Sequence, residues 1–296
     1  ECEDAAVTAA REAAAAGALP RFGGGALAPK RAYSYEELKL NKVDPQRFLA
    51  PNDETLERLQ RTIGYSLAAA SLGATVALGL SPEQVAVDGS AFLFALGVDT
   101  VAYGGAGGAL VLDSLARYTA SGYRERVAAH EAGHFLVAYL VGILPRGYTL
   151  SGWDALRTYG ALRVQAGCLF CDGDFQRSVS KGKLQSSDLD RYACVALAGI
   201  AAEVMTFGRA EGGSADVAQL DGLLRALGFD QSKATKQVRW AVLATVLLLR
   251  EFKDVHKELA LAMDRGASVS ECIQVIEDRT DVELPNYAAN AAKAAA

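Results

Sequence analysis

The chain has 296 residues, of which 51% are hydrophobic and 22% are charged, and its net charge at pH 7 is −5. This length allows one or two domains that bury a core without disulfide bonds. The acidic pI of about 5.4 argues against a nucleic-acid-binding protein with a basic surface, and the mean hydropathy of +0.11 argues against a disordered chain. We therefore expect a folded protein with no nucleic-acid partner.

The first 50 residues form an Ala- and Gly-rich extension. Its Ala-rich start predicts a helix, and the glycine run at 23–25 predicts a flexible linker after that helix. The Ser-Tyr-Glu-Glu sequence at 34–37 has the spacing of a capping box and predicts the start of a short helix. We interpret residues 1–50 as an extension that could serve as an arm for docking a partner.

Residues 51–114 predict a membrane hairpin with helices at about 62–82 and 89–112. The first run contains no charged residue, and the second contains only Asp99. A membrane-spanning helix needs about 20 predominantly apolar residues, which both runs provide. Arginines flank the outer ends of the pair, whereas the connecting loop carries only acidic charges. The positive-inside rule therefore places both ends of the hairpin on the same side of the membrane.

The alternative to a membrane hairpin is a pair of buried helices in a soluble protein. Gly104 and Gly108 have the Gly-x-x-x-Gly spacing that allows two membrane helices to approach closely. However, the first run is rich in Ala, Gly, Ser and Thr, and Asp99 would be costly in lipid unless it were paired. Two buried helices of a soluble protein would satisfy these features as well.

Residues 115–281 predict a mainly α domain, a helical bundle with a small β element. One helix should run through Arg124 to about Gly142, and another from Ser187 to Gly208. Short strands are expected within residues 147–166. The final residues, 282–296, form an Ala-rich tail.

The motif His130-Glu131-Ala132-Gly133-His134 carries the strongest chemical signal. On a helix, two histidines four residues apart lie on one face and can bind a single Zn²⁺ ion. The intervening Glu131 can then act as the general base of a hydrolytic reaction. The third histidine of the sequence, His256, lies in a polar helix, and we expect its side chain to be solvated.

A catalytic zinc site needs a third protein ligand and an open fourth position. Spacing alone leaves the choice of that ligand open among four acidic residues downstream of the motif. These candidates are Asp190, Glu203, Asp216 and Asp221.

The Cys168-x-x-Cys171 sequence could be a redox pair or one half of a zinc ribbon. No second Cys-x-x-Cys exists in the sequence to complete a four-sulfur site. We therefore interpret these cysteines as a reduced pair in a loop.

Three sequence pieces resemble the peptidase domain of FtsH, a family of membrane-bound zinc proteases. They read HEAGH at 130–134, ALAGIAAE at 196–203 and GGSADV at 212–217, where the family has HEAGH, ALAGRAAEE and GASNDL. In that family the aspartate of the third piece is the third zinc ligand, which implies Asp216 here. The resemblance also implies that Glu203 orients a ligand imidazole.

A closer resemblance is to plant and green-algal chloroplast zinc peptidases, which are stress-regulated, FtsH-like and without the ATPase. The shared pieces include GYTLS at 147–151, AEGG at 210–213 and QVRW at 237–240, and the resemblance covers about residues 115–280. It implies a helical zinc-peptidase domain at a chloroplast membrane, most simply the thylakoid, with the peptidase domain on the stromal side.

The implied function is an ATP-independent, membrane-associated zinc metalloendopeptidase that cuts exposed or unfolded protein segments. The sequence contains no Gly-x-x-x-x-Gly-Lys-[Ser/Thr] motif, so we expect no ATP binding. The first alternative is a catalytically silent scaffold or assembly factor of a chloroplast membrane complex, in which a cysteine could close the zinc site. The second is a soluble stromal peptidase without the hairpin.

Overall fold

Helices make up almost all of the regular structure. The computed structural model describes residues 2–44, 48, 51, 53–79, 81–160 and 166–278. In these residues the helices are α1 (Cys2–Ala15), α2 (Tyr35–Leu40), α3 (Glu54–Leu78), α4 (Pro82–Tyr103), α5 (Ala106–Thr119), α6 (Tyr123–Leu140), α7 (Gly152–Tyr159), α8 (Gly173–Ser180), α9 (Ser186–Ala196), α10 (Ala198–Phe207), α11 (Ser214–Ala226), α12 (Gln231–Glu251), α13 (Lys253–Asp264) and α14 (Val269–Glu277). The strands β1 (Pro145–Thr149) and β2 (Gly167–Phe170) form one two-stranded sheet. The prediction of a mainly α fold with a small β element is confirmed.

The chain divides into two units. Unit 1 comprises Glu1–Asn52, Glu125–Tyr148 and Cys168–Ala296, and unit 2 comprises Asp53–Arg124 and Thr149–Gly167. The N-terminal residues that we interpreted as an extension thus belong to the same unit as the H-E-x-x-H helix. The predicted Ala-rich tail, 282–296, lies outside the described residues.

The core of unit 1 is built around α6, whose residues from Ala128 to Leu140 are all buried. In the same unit, α12 contacts α9, α10 and α13, and α11 contacts α9. Gly133 is the point where α6 meets α10. A Cβ atom on Gly133 would lie 2.7 Å from the carbonyl oxygen of Ala198 and 2.7 Å from the Cβ of Ala202. The missing side chain therefore allows the two helices to pack closely at the centre of the unit.

The glycine run that predicts a flexible linker is held against the end of α6. The Gly23 N–H donates to the Tyr139 carbonyl (3.1 Å), and the Gly25 N–H donates to the Leu140 carbonyl (2.8 Å). Three residues after Gly25, the Ala28 carbonyl accepts a hydrogen bond from the indole Nε1 of Trp240 at 3.0 Å. These hydrogen bonds fix the segment on unit 1, so the linker prediction is wrong.

The predicted helix from Ser187 to Gly208 is two helices, α9 and α10, which are separated at Leu197. The last carbonyl groups of a helix lack intrahelical N–H partners. At the end of α9, the Cys194 carbonyl instead accepts a hydrogen bond from Thr245 Oγ1 (3.1 Å), and the Val195 carbonyl accepts one from His134 Nδ1 (2.8 Å). Leucine favours helix, so the local sequence gives no signal for this break.

In unit 2, the predicted second membrane helix, 89–112, is interrupted. It ends at Gly104 and resumes at Ala106, because Gly104 and Gly105 have left-handed φ values of 64° and 79°. The Asp99 carboxylate accepts hydrogen bonds from the backbone N–H groups of Gly107 and Gly108, both at 2.9 Å. The Gly-x-x-x-Gly pair thus builds a turn that pairs Asp99, and the prediction that it packs two membrane helices is wrong.

The predicted first membrane helix, 62–82, is α3, which starts earlier, at Glu54, and ends before Gly79. Within the described part of the chain, one helix has the length and composition to cross a membrane: Glu83–Ala102 of α4, none of which is buried. The many Ala, Gly, Ser and Thr residues of α3 make it less apolar. Helix α5 contacts both α3 and α4. The structure therefore shows no clear pair of spanning helices.

The strands predicted within 147–166 are only partly present. After β1, the Ser151 hydroxyl accepts a hydrogen bond from the Asp154 N–H at 3.0 Å and caps α7, which occupies Gly152–Tyr159. The second strand, β2, lies beyond this helix. Residues 161–165, which were among those predicted as strand, lie outside the described residues.

Candidate metal centre

Three side chains from two helices of unit 1 converge on one point. His130 and His134 lie on the buried face of α6, and Asp216 lies in the first turn of α11. Their closest ligand atoms are Nε2 of His130, Nε2 of His134 and Oδ2 of Asp216. The two nitrogen atoms are 3.0 Å apart, and the oxygen lies 3.3 Å from His130 and 3.5 Å from His134.

These distances fit a zinc ion. Ligand atoms bound tetrahedrally at roughly 2.0–2.1 Å lie about 3.3 Å from one another. Two imidazoles and a carboxylate are also ligands that zinc commonly takes. Among the described residues, this is the one group of His, Cys, Asp and Glu side chains whose ligand atoms lie close enough together, within 4.8 Å of one another, to hold one metal ion.

Each imidazole is oriented by a hydrogen bond at its other nitrogen. Nδ1 of His130 lies 2.7 Å from Oε1 of Glu203, and Nδ1 of His134 lies 2.8 Å from the Val195 carbonyl oxygen. Since a backbone carbonyl and a carboxylate only accept, both Nδ1 atoms are donors. The two Nε2 atoms therefore face Asp216, and the lone pairs that they carry when the rings are neutral are free to bind a metal. This arrangement is typical of histidines that bind a metal.

The Glu203 carboxylate is itself held in place on α10. It accepts hydrogen bonds from the Glu211 N–H (2.9 Å), the Gly212 N–H (3.1 Å) and Arg126 Nη1 (3.0 Å). Burial alone would raise the pKa of Glu203, but the hydrogen bonds from His130, the backbone and Arg126 lower it below the usual value. Glu203 is therefore an ionised acceptor whose position is fixed before any ligand binds.

The electrostatics of the centre favour a cation. Burial opposes charge on His130, but hydrogen bonds to Asp216 and Glu203 raise the pKa of this imidazole to about 10. Burial would likewise raise the pKa of Asp216, yet the neighbouring His134 and His130 lower it well below its usual range. Positive charge between these side chains is thus stabilised from both sides.

Glu131, the residue between the two histidines, is only 5% exposed. Its Oε2 atom is buried and makes no hydrogen bond with any residue that the structure describes. The carboxylate is close enough to both imidazoles to raise their pKa values. A buried carboxylate oxygen without a partner is costly. Such an atom is suited to bind a ligand that the protein alone does not supply.

The other candidates for the third ligand have different partners. Asp190 accepts hydrogen bonds from Gln237 Nε2 at 2.8 Å and from Lys30. The Asp221 side chain is 50% exposed and forms an ion pair with Arg225 at 2.8 Å. Glu203 lies behind His130, on the Nδ1 side. Of the four residues that spacing left open, Asp216 is the one that the structure brings to the two imidazoles.

The cysteines do not join the three converging ligands in the described residues. Cys168 and Cys171 are both free thiols, but Cys168 lies in β2 and not in the loop that we predicted. The Cys168 Sγ donates to the Glu131 carbonyl oxygen at 3.3 Å, and burial together with the nearby Glu131 raises the pKa of this thiol. A thiol with a raised pKa is a poor metal ligand and a poor nucleophile.

The prediction that His256 is solvated is wrong. This residue is buried on α13, and its Nε2 donates to the Ala129 carbonyl oxygen at 2.8 Å, one residue before His130. Burial lowers the pKa of His256. A neutral His256 therefore supports α6 from outside the metal centre.

Sequence reasoning missed three contributors to the site: Arg126, Val195 and Gly199. Arg126 lies four residues before His130, so helical spacing could have placed it on the same face. Val195 acts through its backbone, and its side-chain type gives no signal. A Cβ atom on Gly199 would lie 2.3 Å from His130 Nε2, so glycine makes room for the imidazole.

Comparison with known proteins adds no family or relative to this description. Comparisons of the chain with protein-family models, with curated proteins and with solved structures found no match. The functional assignment therefore rests on the sequence pieces and on the geometry of the metal centre.

Proposed function

We propose that this chain is a zinc-dependent metalloendopeptidase that works without ATP on exposed or unfolded protein segments. His130, His134 and Asp216 bind the zinc ion, Glu131 is the general base, and Glu203 positions His130. The substrate class and the chloroplast location come from the resemblance to FtsH-like peptidases. The assignment of residues is supported by the geometry of the centre.

The observation that carries this proposal is the buried carboxylate oxygen of Glu131, which has no hydrogen-bond partner among the described residues and lies beside three converging ligand atoms. A structural zinc site is usually closed by four protein ligands, whereas a catalytic site has three and an open position. A structural site would have no use for the carboxylate, which would only add a desolvation cost. A hydrolytic site needs such a group.

A zinc ion held here would polarise the scissile carbonyl group and lower the pKa of a water molecule. The contribution of the chain itself is proton transfer and orientation. Oε2 of Glu131 accepts a proton from the attacking water and returns it to the leaving amine. Glu203 and the Val195 carbonyl keep the two imidazoles turned inward throughout.

The substitution Glu131→Gln tests this mechanism. Glutamine keeps the shape of the side chain but cannot accept the proton, so cleavage should fall by about 10²- to 10⁴-fold. Zinc content should stay at the wild-type level, because Glu131 is not a ligand. The measurement is cleavage of a fluorescently labelled, unfolded polypeptide without ATP, with the zinc content of the same samples determined in parallel.

The alternative function, a catalytically silent scaffold, predicts that the wild-type protein cleaves no polypeptide. If the wild-type protein binds zinc, is folded and cleaves no unfolded polypeptide, the chain keeps the peptidase fold for a role in assembling a membrane complex. If Glu131→Gln cleaves as fast as wild type, the proposed role of Glu131 is wrong.

We further propose that α4 attaches the chain to a membrane, which the resemblance to chloroplast peptidases suggests is the thylakoid. The apolar stretch Glu83–Ala102, none of which is buried, supports this attachment, because a helix that is apolar on all sides is favoured in lipid. The resemblance supports placing the peptidase domain on the stromal side, where its partners would be protein substrates and a chloroplast membrane complex.

A further inference from the structure

A second concave site lies in unit 1, apart from the metal ligands. It is a cavity of about 300 Å³, at the lower end of the roughly 300–1,000 Å³ that small-molecule sites occupy. Its apolar wall comes from Phe48, Val204, Met205 and Val246. Phe48 and Val246 are buried, so this wall is part of the core and is already formed.

The rest of the lining is cationic. Lys42, Arg250 and Lys253 complete the cavity, and no acidic side chain is among its described lining residues. Arg250 is fixed at the rim, because Nη1 donates to the Asn41 carbonyl (2.6 Å) and Nη2 to the Lys42 carbonyl (3.4 Å). Neither lysine forms an ion pair with any residue that the structure describes. Three positive charges thus surround one apolar wall.

The backbone at Lys42 is an independent sign of function. Its φ is 56°, and it is the one non-glycine residue with positive φ in the described part of the chain. It follows α2, where the Lys42 N–H donates to the Lys39 carbonyl (2.8 Å) and the Val43 N–H to the Leu38 carbonyl (2.9 Å). Glycine is the usual residue at this position of a helix end. A lysine at this position costs conformational energy. Its presence is explained if the positive charge of its side chain has a function.

We propose that this cavity binds a small organic acid that has an apolar body. The carboxylate lies among Lys42, Arg250 and Lys253, and the apolar body packs against the half-buried Val204 and Met205. A charge-assisted pairing at the rim and burial of apolar surface inside are the two interactions that such a ligand needs. The site contains no metal ligand, so its failure would leave the proposed peptidase activity untouched.

The test uses the full chain and three probes measured by isothermal titration calorimetry at low ionic strength. 4-Phenylbutyrate supplies both the carboxylate and an apolar body, and we expect a Kd on the order of 0.1–1 mM for a ligand of this size. 4-Phenylbutanamide has the same shape without the charge, and acetate has the charge without the body. Both should bind at least about fivefold more weakly.

The substitution Lys42→Gly separates recognition from folding. Glycine adopts φ of 56° without strain, so thermal stability should be unchanged or higher. The loss of one cation should weaken 4-phenylbutyrate binding by about fivefold. Lys257→Gln is the matched control, because it removes one exposed cation of α13 outside the cavity, and it should leave the Kd unchanged.

Three results would overturn the proposal. The first is no binding of 4-phenylbutyrate by the wild-type protein up to about 10 mM, tenfold above the weakest Kd expected. The second is equal affinity for the neutral amide, which would mean that the cations play no part. The third is an equal loss of affinity in Lys42→Gly and Lys257→Gln, which would indicate general attraction of anions by surface charge.

Discussion

Two buried histidines of this protein, His130 and His256, differ in whether their surroundings stabilise a positive charge on the ring. His130 lies between the carboxylates of Glu203 and Asp216, so its surroundings stabilise a positive charge in spite of burial. Among the described residues, His256 makes its hydrogen bond to a backbone carbonyl through Nε2 and no carboxylate opposes the effect of burial, so the ring stays neutral. Residues of the same type therefore have opposite electrostatic roles within one unit.

The lowered pKa of His256 makes the stability of the protein sensitive to acid. The unfolded chain takes up this proton near the ordinary pKa of about 6.5, and the folded chain does so only at lower pH. The contribution of a neutral His256 to the free energy of unfolding is therefore complete above about pH 6.5 and is lost as the pH falls through the folded pKa.

We expect His256→Gln to be less sensitive to acid than wild type over this range. Glutamine can donate to the Ala129 carbonyl but does not titrate. Urea unfolding of both proteins at pH 7.5 and pH 5, at equal zinc concentration, measures the effect. The two proteins should differ in the slope of stability against pH, and parallel slopes would show that His256 is not held neutral.

Much of the site could be predicted at the residue scale. His130, Glu131 and His134 were predictable because helical spacing alone places them together. The third ligand needed the FtsH resemblance, because only the tertiary structure separates Asp216 from Asp221. The prediction that His256 is solvated was wrong because it was based on the polar residues next to it in the sequence. Apolar residues at helical spacing, Phe252 and Leu259, share its buried face and were the better signal.

At the scale of elements, the candidate metal centre depends on how closely α6 can approach α10. Gly133 and Gly199 provide this closeness, since a Cβ at either position would overlap the opposite helix. At Gly199 the overlap would be with the ring of His130, whose Nε2 would lie 2.3 Å away. The identity of one residue on α10 thus decides whether a ligand on α6 can hold its place.

The substitution Gly199→Ala should displace the His130 imidazole and weaken zinc binding by about 10- to 100-fold, a loss typical of disturbed ligand orientation. Gly222→Ala on α11 is the matched control, because nothing lies within 4 Å of its added Cβ. The control should bind zinc as wild type does and gain about 0.5–1 kcal/mol of stability. Competition titration with a chromophoric chelator measures both affinities, and equal values would refute the steric account.

Element boundaries were predictable where a local signal marked them. The helix predicted to run through Arg124 to about Gly142 is α6, Tyr123–Leu140, and the capping box at 34–37 begins α2. The break at Leu197 was not predictable, because it is stabilised by His134 and Thr245 from distant parts of the chain. The turn at Gly104 and Gly105 had a sequence signal, two adjacent glycines, that the apolar run around it obscured.

At the scale of the whole molecule, chain connectivity restricts how a membrane could be crossed. Residues before and after the segment 53–124 pack together in unit 1. A bilayer cannot pass through a packed unit, so both ends of the segment lie on the same side of any membrane. If α4 crosses a membrane, the chain therefore has to return to the side from which it entered.

The attachment itself is testable by flotation with lipid vesicles. The full chain should float with the vesicles, and Phe94→Asp should stay in solution. Phe94 is 74% exposed near the middle of α4, where a charge costs about 3 kcal/mol in lipid, or about a hundredfold in partition. Leu261→Asp, at a 51% exposed position of α13, is the control and should float as wild type does. Wild-type protein that does not float would contradict the attachment.

The most direct test of the central claim is the zinc content of the purified full chain and of two matched variants, Asp216→Ala and Asp221→Ala. Both substitutions remove an aspartate of α11, but only Asp216 lies beside the two imidazoles. The account predicts about one zinc ion per chain in wild type and in Asp221→Ala, and a loss of zinc in Asp216→Ala. Folded wild-type protein without zinc, or equal zinc in the two variants, would contradict it.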